Sequence, residues 1–166
     1  MKTGVRPMPE SDPITEPPEE LLPDSSLEYL DKMRELCEEN GCELILMKAP
    51  TNPRGYWWYD EWDEQICDYA EENGLAYYNL IDEADEIGLD MTTDTYDAGM
   101  HLNVYGAEKT SEYFGRILAE NHGLADLEHS DAENAAWAER LDRYYKERNE
   151  RGTHREERHL WRTRNY

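Results

Sequence analysis

Three side chains past the middle of the chain could share acid–base chemistry: Asp94, Asp97 and His101. A carboxylate a few residues ahead of a histidine can accept a hydrogen bond from one ring nitrogen. It thereby fixes the tautomer and stabilises the imidazolium. The other ring nitrogen is then able to take a proton from a hydroxyl nucleophile. On spacing alone, the same pair also describes a solvent-facing loop histidine. Metal binding is not expected, because no third ligand lies close in sequence and Cys37, Cys42 and Cys67 form no Cys-x-x-Cys pair. No cofactor is expected either.

A pair of this kind has to be held between a strand end and a helix start. Asn103 is placed to cap a helix running to about Asn121, with Ala107, Thr110, Tyr113, Phe114, Ile117 and Leu118 on its inner face. Upstream, Ser25 to Asn40 has helical spacing at Leu27, Leu30, Met33 and Cys37. Ser25 and Glu28 have capping-box spacing, and Gly41 is the stop. Glu43 to Lys48 is a short apolar run suited to a strand buried on both faces, and Cys37 and Cys42 read as small buried apolar residues. Tyr59 to Asn73 returns to helical spacing and ends at Gly74, and Ala76 to Leu80 reads as a second strand. A helical turn is expected around Asp82 to Ile87.

The order helix–strand–helix–strand–helix predicts an α/β class with parallel strands and helices on both faces of the sheet. Ligands of such sheets sit at the strands' carboxyl ends. Two loops qualify: Ala49 to Trp58 and Ile81 to Leu102. In the first, Asn52 could donate a hydrogen bond, although Thr51-Asn52-Pro53 is equally good turn chemistry. Trp57 and Trp58, within Tyr56-Trp57-Trp58-Tyr59, could wall a pocket for a sugar or acyl group, or simply pack a helix start.

The remainder is polar. In 166 residues there are 39 acidic and 17 basic side chains, a net charge of −22. Mean hydropathy is −1.02. Such a surface repels phosphate backbones and anionic lipid, so neither nucleic acid nor a membrane is an expected partner. Residues 1–24 hold six of the eight prolines and read as an extended, acidic leader without a core face. Residues 25–122 form the expected domain. Residues 123–166 form a charged helical tail that is basic toward its end. No signal-peptide run and no span of about 20 apolar residues occurs, so the chain as written reads as cytoplasmic.

Asp97-Ala98-Gly99-Met100-His101-Leu102-Asn103, followed by Gly106-Ala107-Glu108-Lys109, resembles the last block of SGNH (GDSL-like) hydrolases. The order of elements from Ser26 to His122 is similar to that of the bacterial members. The resemblance implies a three-layer α/β/α fold of flavodoxin-like SGNH type. It also implies His101 as general base and Asp97 as its orienter, in ester or acyl hydrolysis or transfer on an acylated carbohydrate or a small ester. Two features depart from the family. Three residues separate Asp97 from His101, where the family has two, so Asp94 is a substitute orienter. The family's Gly-Asp-Ser block after the first strand has no counterpart; the nearest match is Pro23-Asp24-Ser25-Ser26-Leu27. The expected domain is therefore incomplete at its N-terminal side and lacks the serine nucleophile. The alternative is a carbohydrate- or protein-binding module on a degenerate scaffold of the same kind. Free sheet edges would favour self-association.

Overall fold

The computed structural model describes residues 2–5, 22–52, 59–124 and 128–164, with side chains to residue 151. The elements are α1 (Asp24–Glu39), β1 (Ile45–Lys48), α2 (Tyr59–Asn73), β2 (Ala76–Asn79), α3 (Ala84–Ile87), α4 (Val104–Asn121) and α5 (Asp131–Arg164). The class is α/β and mostly helical. The chain divides into two compact units, one of residues 9–86 and one of residues 1–8 with 87–166.

In the first of these, β1 and β2 pair in parallel, with Ile45 opposite Ala76 and Lys48 opposite Asn79. Parallel neighbours need a crossover, and α2 supplies it. The core at the strand ends is Tyr69, Ala70, Leu80 and Ile81. The sheet corrects the expectation of a strand buried on both faces: Met47 is 46% exposed. A two-stranded sheet has too little width to cover both sides.

Helix α1 differs from its expected form in two ways. It starts at Asp24, one residue early. Pro23 stands at the cap with no side-chain cap bond, so Ser25 and Glu28 do not form a capping box. Proline suits this place because its fixed φ and missing N–H cost nothing there. The apolar stripe of α1 buries no residue fully: Tyr29, Met33 and Leu36 are exposed, Cys37 is half-buried and Cys42 is exposed. Spacing identifies a face but not whether anything lies on it. The helix ends as expected, with Gly41 at φ 64° and the Cys42 N–H bonded to the Cys37 carbonyl at 2.8 Å.

In the other unit, Val104, Thr95, Asp94, Asn103, Ile87 and Thr3 are buried. Thr3 corrects the picture of a leader without a core face. Residues 2–5 run along the loop ahead of α4, where the Lys2 carbonyl accepts from the Val104 N–H at 2.9 Å. Helix α5 runs from Asp131 to Arg164, within the expected helical tail of residues 123–166. Among the described residues, no helix is long and apolar enough to cross a membrane.

Candidate active site

The loop from Gly88 to Asn103 is closed from beneath by Asn103. This side chain is 1% exposed. Its Oδ1 caps α4 by accepting from the N–H groups of Tyr105 (2.9 Å) and Gly106 (3.2 Å). Its Nδ2 donates to the Thr93 carbonyl at 2.7 Å and to the Gly4 carbonyl at 3.2 Å. One side chain thus ties a helix start, a loop and the chain's first residues together. Asp94, the substitute orienter, is committed elsewhere. It is buried, accepts from Lys109 Nζ at 2.7 Å and takes the Asp90 N–H at 2.9 Å. It anchors the loop to α4 and does not serve His101.

Above this base, Thr95 and Leu102 form an antiparallel bridge, and the Tyr96 N–H donates to the His101 carbonyl at 3.2 Å. Asp97 and His101 stand at the tip. Asp97 Oδ2 lies 2.6 Å from His101 Nδ1, and Oδ1 accepts the His101 main-chain N–H at 2.7 Å. The turn between them carries left-handed backbone at Ala98 (φ 68°) and Gly99 (φ 92°). An alanine rarely adopts that region. The Gly99 N–H donates to Thr95 Oγ1 at 3.1 Å, which holds the turn.

Partial desolvation pushes the Asp97 carboxyl upward. The His101 ring and main-chain N–H, with the nearby charges of His101 and Lys2, outweigh it and hold the group below its ordinary value. With Asp97 on Nδ1, the nitrogen left to exchange protons is Nε2, on a side chain that is 67% exposed. Tyr96 stacks on the imidazole, with centroids 5.8 Å apart and planes at 15°, and the Lys2 ammonium lies 4.0 Å over the Tyr96 ring. Tyr96 and Lys2 were not among the residues singled out by spacing. Lys2 reaches the loop through a contact remote in sequence, and only the adjacency of Tyr96 to Asp97 was there to be read.

The remaining expected residues are placed otherwise. Asn52 is half-buried just beyond β1, in the unit of residues 9–86. Trp57 and Trp58 lie outside the described residues. Ser25 and Ser26 occupy the first turn of α1. Among the described residues, no three of His, Cys, Asp and Glu are arranged to hold a metal ion.

A second polar cluster, which spacing did not reveal, sits at the carboxyl ends of β1 and β2. Asn79 Nδ2 donates to Asp63 (2.8 Å), Asp82 (3.1 Å) and the Tyr59 hydroxyl (2.5 Å), and Tyr77 donates to Asp63 at 2.6 Å. Tyr59 donates to Asp82. The buried Lys48 ammonium lies 4.5 Å over the Tyr59 ring. Burial lowers the Lys48 pKa, opposed by Asp63 and Asp82. Burial raises Tyr59 and Tyr77 far above the ordinary phenol, with the neighbouring carboxylates adding to it. Tyr59, Asp63, Tyr77, Asn79 and Asp82 hydrogen-bond to one another and fasten the end of β2 to α2.

Comparison with family models, with curated proteins and with solved structures found no match for this chain.

Proposed function

We propose that Asp97 and His101 are the acid–base half of an SGNH/GDSL-like ester or acyl hydrolase site, and that a three-layer α/β/α fold belongs with it. The observation that carries the reading is the two-point grip of Asp97 on His101: one oxygen on Nδ1, the other on the main-chain N–H. A carboxylate that merely neutralised a surface histidine would not need both. The grip keeps the neutral imidazole protonated on Nδ1, so Nε2 offers its lone pair. As a hydroxyl attacks an ester carbonyl, Nε2 takes its proton, and the imidazolium then returns that proton to the leaving alkoxide. Asp97 stabilises the imidazolium between the two steps. The hydroxyl comes from water or from a serine. Acylated carbohydrates and small esters are the substrate class.

The test is hydrolysis of p-nitrophenyl acetate, with fluorophosphonate labelling to find any serine nucleophile. His101→Ala removes the hydrolysis. Asp97→Asn lowers it on the order of 10²-fold, the scale of a positioned general base. Ser25→Ala and Ser26→Ala leave it unchanged. Equal rates for the wild-type chain and His101→Ala would sink the proposal.

A further inference from the structure

The His101 side chain is largely exposed, so little of the molecule surrounds its ring. Asp97 fixes the tautomer but grips the imidazole at one nitrogen only. The plane of the ring needs a second support, and Tyr96 is in place to give it. Thr95 and Leu102 form an antiparallel bridge, so Tyr96 and His101 stand opposite each other one step beyond it. Residues opposite each other on antiparallel chains carry their side chains on the same side. The two rings accordingly stack, with centroids 5.8 Å apart and planes at 15°. That is an ordinary separation for an offset pair.

Tyr96 is held in turn by residues 2–5. The Lys2 ammonium lies 4.0 Å from the centroid of the Tyr96 ring, where a cation is attracted to the π face. A Cβ built on Gly4 would stand 3.8 Å from Tyr96 Cβ, so Gly4 lies against the base of the same side chain. The main chain on both sides of Thr3 is fixed. The Lys2 carbonyl accepts from the Val104 N–H at 2.9 Å, the Gly4 carbonyl accepts from Asn103 Nδ2 at 3.2 Å, and Thr3 itself is buried. These bonds limit where the Lys2 side chain can reach, and the Tyr96 ring is within that reach.

We infer that Tyr96 and Lys2 are positioning residues of the histidine site. The docked segment of residues 2–5 holds the Tyr96 ring, and the Tyr96 ring holds the imidazole in the plane from which Nε2 meets the substrate. The inference rests on the reading of Asp97 and His101 as an acid–base pair. It adds a means of fixing an exposed ring. Proton transfer needs Nε2 within hydrogen-bond reach of the attacking hydroxyl, with its lone pair aimed at the proton. A ring that tilts spends part of its time out of reach, so the loss falls on kcat. Neither Lys2 nor Tyr96 has to touch the substrate for this, and KM is left alone. Residues almost a hundred positions apart thereby belong to one site, which is complete only while residues 2–5 are docked.

The test joins p-nitrophenyl acetate kinetics of the full chain to NMR of the His101 ring. Lys2→Met keeps the main-chain bonds of residue 2 and removes only the cation. It lowers kcat about threefold at unchanged KM, the scale of one exposed cation–π contact. Lys2→Arg restores the rate, because a guanidinium also lies over an aromatic face. Tyr96→Leu lowers kcat about tenfold through a misplaced base, and Tyr96→Phe, which keeps the ring, recovers most of it. The stack is also read without any turnover. Nuclear Overhauser effects between the Tyr96 and His101 rings weaken in Lys2→Met and return in Lys2→Arg. An active wild-type chain whose kcat and ring contacts are both unchanged by Lys2→Met overturns the inference. So does a rise in KM at constant kcat, which would set Lys2 against the substrate itself. A wild-type chain that hydrolyses nothing, yet loses the ring contacts in Lys2→Met, overturns the acid–base reading alone and leaves the hold of residues 2–5 on the ring standing.

Discussion

Asp97 holds His101 with both oxygens, and the consequence is a pH dependence of known sign. The folded-state pKa of Asp97 lies below its ordinary value. Its contribution is therefore complete above the unfolded carboxylate value, about 3.9, and is lost as pH falls through the lower folded value. Imidazole nitrogen shifts measured by NMR should show the Nδ1–H of His101 held to Asp97 down through that range and released below it. Asp97→Asn should remove this acid-side transition. Asn103 is the second residue of consequence. Asn103→Ala deletes the α4 cap and leaves the carbonyls of Thr93 and Gly4 short of a donor. A loss of about 2–3 kcal/mol in denaturant unfolding is expected, being a cap together with buried unsatisfied groups. The Asp97–His101 pair and the Asn103 cap were legible in the sequence, because each acts within a few positions of itself; the bonds of Asn103 to Thr93 and Gly4 were not. Asp94 and Asp97 could not be told apart on spacing. What separates them is Lys109, fifteen residues on, and no local pattern announces that bond.

The elements repeat this contrast between local and remote causes. Helices α2 and α4, the cap of α4 and the stops at Gly41 and Gly74 follow the sequence pattern closely, because propensity and capping act over one or two turns. What covers a helix face is decided elsewhere in the chain, so the apolar stripe of α1 was readable as a stripe but not as an exposed one. Close approaches are equally silent. A Cβ on Gly106 would stand 2.6 Å from the Asp94 carbonyl oxygen and 3.1 Å from Leu102 Cδ2. Gly106→Ala should therefore push the loop off α4, cost about 1–3 kcal/mol and shift the His101 resonances. Gly115, on the same helix, meets nothing within 4 Å. Gly115→Ala should instead stabilise by about 0.5–1 kcal/mol, through helix propensity alone. Thermal melts of the two variants, moving in opposite directions, would separate contact from propensity.

At the scale of the whole molecule, charge is the dominant property. With a net charge of −22 on 166 residues, self-repulsion opposes the compact state. Raising ionic strength from about 0.01 M to 0.15 M shortens the screening length from about 30 Å to 8 Å. The melting temperature should rise over that range, and the attachment of α5 through the Arg148–Glu108 ion pair should weaken slightly. A melting temperature that falls with salt would show that ion pairs outweigh the net repulsion. This property was plain from composition. The division into two units was not, because it depends on residues 2–5 joining the segment after Ile87 rather than the helix that follows them in sequence.

That junction offers a clock. Intrahelical bonding leaves the first amides of a helix without partners, yet the Val104 N–H is bonded to the Lys2 carbonyl. Its hydrogen exchange therefore does not time the fraying of α4. It times the departure of residues 2–5, and with them the ammonium over Tyr96. One amide, followed in heavy water, reports how often the edge of the histidine site comes undone.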